Sequence, residues 1–315
     1  MKPRKLLAPR TFERGFQAIR DELDIPRQFP AEVLEAALDA RDRFTDQRRD
    51  DRHLPMVAID PPGARDLDQA FHAERIDDHY RVFYAIADVG AFVISGDPID
   101  IEARQRGTTY YSPDVRTPLH PPVLSEDRAS LLPGTDKPCL LWTIELDRHG
   151  VPVDASLIRS VVRVSEAISY AEAQQRIDGG DDLGILREIG ELRQRRELAR
   201  GGISLNLPSQ EVEETDTSYH LRYDTTIPVE GWNAQISLLT GIVAGRKMVD
   251  AGVGILRTLP PPRKQDLRRL RLEAEALGID WADDVSYAQM IRTVEANSPR
   301  KSAFLLQAAR SFRGA

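Results

Sequence analysis

The segment CLLWTIELDRHGVPVDASLIRSVVRV, residues 139–164, limits the fold more than any other stretch of the chain. β-Branched and aromatic residues crowd both of its halves, and Arg148, His149 and Gly150 divide them with a turn. Two strands joined so closely pair antiparallel. Further strand patterns lie upstream, in LPMVAID at 54–60 and YRVFYAIADVGAFV at 80–93. The remainder has helical spacing. FERGFQAIRDEL and PAEVLEAALDARDRF predict helices between residue 12 and about residue 48, with Val33, Leu34, Ala37 and Leu38 as the apolar stripe behind Pro30. Later helices are predicted in DDLGILREIGELRQRRELARGG, in NAQISLLTGIVAGRKMVDAG with Ile236, Leu239, Ile242 and Val243 on one face, and in KQDLRRLRLEAEALG. Strands followed by helices predict an α+β fold, with a mixed or antiparallel sheet packed by helices, rather than a regular βαβ alternation. The charged run TDQRRDDRH at 45–53 predicts a linker, which divides a short helical region, 1–50, from a main domain, 51–315.

Acidic residues outnumber basic ones by 50 to 43, so a uniform cationic coat for nucleic acid is excluded while a local basic groove is not. Lys2, Arg4, Lys5, Arg10, Arg14 and Arg20 form the clearest basic run; it and the RQRRELAR helix read best as solvated faces. The single cysteine, Cys139, excludes an internal disulfide and a thiolate zinc site, and fits a buried position in a protein of the reducing cytoplasm. No apolar run has the length needed to span a bilayer, so a cytoplasmic monomer without a membrane partner is expected. His72, His120 and His149 lack metal-ligand spacing, and neither a P-loop nor a Rossmann glycine pattern occurs.

The chemistry concentrates in VAIDPPGARDLDQAF, residues 57–71. In an extended segment Asp66 and Asp68 share a face while Leu67 points to the core. Pro61, Pro62 and Gly63 turn the chain and let Asp60 face that pair. Three carboxylates in one cup suit a hard cation, Mg²⁺ or Mn²⁺, that orients a phosphate and activates water. The triplet alone also suits a nucleotidyltransferase or a glycosyltransferase using a D-x-D pair, and Asp-rich turns without any metal are common.

AIDPPGARDLDQAF, then YAIADVGAFV, then GDPIDIEARQRGTTYYSPDVRTPLHPPVLSEDRASLLPG resemble, in order, the signature of the RNB domain of the ribonuclease II / ribonuclease R family, over roughly residues 54–262. The resemblance implies a 3′→5′ exoribonuclease that uses Mg²⁺, acts on single-stranded RNA and releases nucleoside 5′-monophosphates. It makes Asp60, Asp66 and Asp68 three of the four active-site aspartates and metal ligands. Tyr111 becomes the residue that packs on the terminal base, Arg106 beside Gly107 a structural or phosphate-contacting residue, and Asp88 a support for the site from behind.

The chain departs from the family at several positions. Gln69 replaces the fourth aspartate and removes one negative charge from the cup. Leu205 falls near a base-clamping aromatic of some members, and Ser237 and Leu238 replace a frequent glutamate pair. The family's segment with paired arginines, and the OB-fold after it, are expected beyond the point where this chain stops; Arg310 and Arg313 do not match that motif. A binding module that keeps the fold with weak or no catalysis is therefore the second expectation.

Overall fold

The computed structural model describes residues 9–202, 209–215, 218–224, 226–256, 260–294 and 298–310. In chain order it contains α1 (Pro9–Glu22), α2 (Ala31–Asp39), β1 (Arg49–Asp50), β2 (Val57–Ile59), β3 (Gln69–Ile76), β4 (His79–Ala87), α3 (Pro98–Arg106), β5 (Tyr110–Tyr111), β6 (Arg116–Thr117), β7 (Asp136–Leu146), β8 (Pro152–Arg163) and β9 (Glu166–Ile168). After these come α4 (Tyr170–Asp178), α5 (Gly184–Ala199), β10 (Ser209–Thr215), β11 (Ser218–Asp224), α6 (Pro228–Ala251), α7 (Lys264–Ala276), α8 (Tyr287–Thr293) and α9 (Pro299–Ala309). The fold is α+β.

A seven-stranded mixed sheet, ordered β1-β8-β7-β4-β3-β2-β9, holds the strand-rich half together. Its centre is the antiparallel run β3-β4-β7-β8, and the expected hairpin of β7 and β8 turns at Asp147–Val151, where Gly150 takes φ +72°. Short parallel pairs close both edges, β1 on β8 and β9 on β2. Along β7, Cys139 and Leu141 face the core that they share with Met56, Ala58, Leu67, Ala70, Phe83 and Val162, while Trp142, Ile144 and Leu146 alternate onto the opposite face and are buried there. Cys139 is fully buried there, and loss of water raises its thiol to about 12.

The chain divides into two compact units, 1–189 with 211–222, and 190–210 with 223–315. The boundary expected near residue 50 does not appear between them. Residues 49–50 are instead a strand of the main sheet, and the Asp51 N–H continues its ladder to Val161 O at 2.9 Å. The N-terminal helices belong to the same unit as the sheet: Val33 and Ala37 of α2 pack with Phe92, Ile99 and Leu124. Leu34 and Leu38, expected in that stripe, are exposed, so α2 buries a narrower face. It also ends at Asp39 rather than near Phe44. Ala40 leaves the helical region at φ −57° and ψ 135°, and the Asp42 carboxylate accepts the Phe44 N–H at 2.9 Å, an alternative partner that competes with the helix.

In the second unit, α7, α8 and α9 share a core of Leu270, Met290, Ile291, Phe304 and Leu305. Helix α6 ends as its sequence predicts, at Gly252 in the left-handed region with φ +66°. Its Ile236, Leu239 and Val243 are buried.

Candidate active site

The loop between β2 and β3 carries the three aspartates, and backbone bonds fix it at each end. Asp60 donates its N–H to Ile168 O of β9 at 3.1 Å, which prolongs the parallel ladder. Pro62 and Gly63 then form the centre of a turn closed by Ala64 N–H to Pro61 O at 3.2 Å; Gly63 takes φ +78°, a value that favours glycine. The segment 64–68 forms no regular element, and buried Ser130 stitches it down. Leu67 N–H donates to Ser130 Oγ at 3.0 Å, Ser130 Oγ donates to Arg65 O at 2.6 Å, and Leu131 N–H donates to Leu67 O at 2.8 Å. Leu67 is 2% exposed, the anchor its position predicts, while Ala87 N–H holds Asp68 O at 2.9 Å.

The carboxylates sense one another. Asp60 is pushed up to about 6, first by loss of water and then by the charges of Asp68 and Asp66. Asp68 is open to solvent on one side, yet enough protein surrounds its carboxylate that loss of hydration, and then Asp66, raise it. Asp66 is different because Arg116 sits against it, with Nη1 2.6 Å from Oδ1. No cation is paired with Asp60 or Asp68 among the described residues. This donor set fits a hard divalent cation in kind: carboxylate oxygens, those of Asp60 and Asp68 without a paired cation among the described residues and those of Asp66 shared with Arg116. It is not drawn together as a cage, since among the described residues no three His, Cys, Asp or Glu side chains form a ready metal-binding group. A metal would have to gather them.

Tyr111 lies on the hairpin β5-β6, directly across from Arg116. Its side chain is 74% exposed, open enough to meet a ligand face. Loss of water at its hydroxyl, and then the charge of Asp66, raise it above the ordinary tyrosine value, with Asp60 and Asp68 adding to the effect. The hairpin is tied down at its tip, where Asp114 accepts both arms of Arg20 from α1 at 2.6 and 3.0 Å.

Arg106 is placed otherwise than a phosphate contact requires. It is 2% exposed; its Nε donates to Glu102 Oε1 at 2.8 Å, its Nη2 to Gln28 O at 2.9 Å and its Nη1 to Pro118 O at 3.3 Å, and it lies 3.7 Å from the centre of the Phe29 ring. The guanidinium is a strut between α3 and the chain before α2. Asp88 likewise turns to structure rather than to the cup, pairing with Arg48 at 2.9 Å and Arg159 at 3.2 Å. The amide oxygen of Gln69 accepts the Tyr84 hydroxyl, so it is committed within the protein. Ser237 and Leu238 are exposed on α6, and Leu205 and Arg313 lie outside the described residues. Sequence reasoning passed over Ser130, Arg116 and Glu126.

A family model described as the RNB domain matches residues 48–313. The exosome complex exonuclease dis3 of Schizosaccharomyces pombe is 28% identical over 263 residues, 76% of this chain and 27% of its own. Among solved structures, Mycoplasma genitalium RNase R in complex with ribose-methylated single-stranded RNA superposes with a TM-score of 0.85 at 19% identity, covering 95% of this chain and 50% of that one. Yeast Ssd1, described as a pseudonuclease, superposes with a TM-score of 0.67 at 17% identity over 90% of this chain and 35% of its own. The chain therefore spans about a quarter of the fission-yeast relative and half of the solved RNase R.

Proposed function

Because the chain belongs to the RNB domain family, we propose that it is a Mg²⁺-dependent 3′→5′ exoribonuclease acting on single-stranded RNA and releasing nucleoside 5′-monophosphates. One observation carries the reading. Asp60, Asp66 and Asp68 are held on one anchored loop, where the charges of Asp66 and Asp68 help to raise Asp60 and that of Asp66 helps to raise Asp68, with an exposed tyrosine within range of all three. Carboxylates kept in such mutual repulsion are the expected signature of a site built for a cation rather than for stability.

Asp60, Asp66 and Asp68 would hold Mg²⁺, or Mn²⁺ in its place, and the ion would supply charge for the scissile phosphate and an activated water. The rest belongs to the chain's own residues. Tyr111 offers its ring to the terminal base, a sequence-tolerant contact because every base has a π-face. Ser130 keeps the aspartate loop from relaxing away from the sheet, and Arg20 keeps the Tyr111 hairpin in place through Asp114.

The test is incubation with 5′-labelled single-stranded RNA and Mg²⁺ beside an EDTA control, resolved at single-nucleotide spacing. A ladder shortening from the 3′ end, absent with EDTA and absent in Asp68→Asn, supports the nuclease. Degradation by Asp68→Asn at the wild-type rate refutes the assignment of the site. A second reading, an RNA-binding module of the same fold without turnover, draws on Gln69, whose oxygen is spent on Tyr84, and on the ungathered carboxylates. Protection of the RNA without shortening would select it.

A further inference from the structure

Arg116 is a cation lodged inside a carboxylate site. Its Nη1 lies 2.6 Å from Asp66 Oδ1, and its Nη2 donates to Glu126 Oε1. It is the cross-strand partner of Tyr111, and its side chain keeps 28% of its surface open. The ribbon that bears both residues is firm: Ser112 N–H closes it on Val115 O at 3.0 Å, and the Arg20–Asp114 pair fixes its tip. Arg116 thus extends to Asp66 from an anchored support beside the tyrosine.

A divalent ion at Asp66 competes with Arg116 for the charge of that carboxylate, and most directly at Oδ1, the oxygen that Nη1 holds. When a divalent ion takes Oδ1, Nη1 loses that partner while Nη2 keeps Glu126. A guanidinium held by one arm and vacated at the other presents donors in the planar fork that suits phosphate oxygens. We propose that Arg116 contacts the phosphate of the terminal nucleotide, exchanging Asp66 for a phosphate oxygen as the metal binds, while Tyr111 beside it takes the base. This builds on the nuclease reading and adds a specificity residue to it.

The probe is adenosine 5′-monophosphate, which joins a base to a phosphate and has no phosphodiester to cleave. It is titrated calorimetrically into the full chain with Mg²⁺ and, separately, with EDTA, and adenosine is the phosphate-free control. Arg116→Met is expected to weaken binding of the monophosphate about tenfold in Mg²⁺, the loss of one charge-assisted hydrogen bond, and to leave adenosine unchanged. In EDTA the variant and the wild type should agree, because there the wild-type arginine stays on Asp66. Arg116→Lys should recover part of the loss, and it decides the matter if the Met variant fails to fold by circular dichroism. Equal affinity of wild type and variants in Mg²⁺ overturns the proposal. So does a loss of the same size for adenosine, or in EDTA, which would make Arg116 a strut for the hairpin. If binding depends on Tyr111 but not on Arg116, this proposal fails and the nuclease reading stands; if the wild type binds neither probe, this proposal fails and the RNA ladder alone decides the nuclease reading.

Discussion

Replacing Asp60 with asparagine should stabilise the protein at neutral pH, because the native carboxylate is held against its own ionisation. Its value is raised from 3.8 to about 6. A carboxyl raised on folding makes the folded state bind more protons than the unfolded one, so its contribution to stability falls as pH rises between these values. The penalty is absent below about 3.8 and complete above about 6. Two units correspond to about 3 kcal/mol, and the open side of the cup reduces this to about 2 kcal/mol. Asp60→Asn keeps the shape and removes the charge. In EDTA at pH 7.5 its melting temperature should exceed the wild type's by about 4–8 °C, and at pH 4 the two should converge. Mg²⁺ should then raise the wild type's melting temperature and leave the variant's nearly unchanged. A variant less stable than wild type at pH 7.5, or a gain of equal size at pH 4, would refute the electrostatic argument.

Other perturbations probe the frame. Arg48 is 1% exposed in its side chain and is bound to Asp42 at 2.5 Å and Asp88 at 2.9 Å; Arg48→Met should cost about 3 kcal/mol in urea denaturation, because Asp88 keeps only Arg159. A methyl group on Gly190 would fall 2.5 Å from Trp232 Cβ, so Gly190→Ala should destabilise the second unit by about 1–3 kcal/mol, read by hydrogen exchange of α6. Tyr111→Ala should weaken RNA binding by about 1–3 kcal/mol in an anisotropy titration while leaving thermal stability within about 0.5 kcal/mol, and Tyr111→Phe should retain most of the binding.

Much of this architecture is legible from residue order. The β7-β8 hairpin, the glycine closing α6 and the inward-facing Leu67 all follow from local patterns that tertiary contacts do not override. Local patterns failed where long-range pairing decides. Nothing within TDQRRDDRH reveals that Arg49 and Asp50 pair with Ser160 and Val161, more than a hundred residues away. Helix α3 escaped notice because its apolar residues are few, although Asp97 caps it, accepting the Asp100 N–H at 2.7 Å, and Pro98 opens it. In the site the carboxylates were readable as a triplet, but their neighbours were not. Arg116 reaches Asp66 across fifty positions of sequence, and the burial of Arg106 comes from Phe29 and Gln28, which no motif contains.

The two-residue strand β1 has a consequence out of proportion to its length. It pairs with Ser160 and Val161 near the end of the twelve-residue β8, and it carries Arg49 and Asp50, followed by Arg52, which is bound to Asp50 and to Asp136. A long bare edge rich in Val and Ile would offer a template for another chain, and a short charged one does not. Loosening this segment, by Ser160→Val for instance, which removes the 2.8 Å bond from Ser160 Oγ to Arg49 O, should convert a well-behaved protein into one that aggregates before it unfolds.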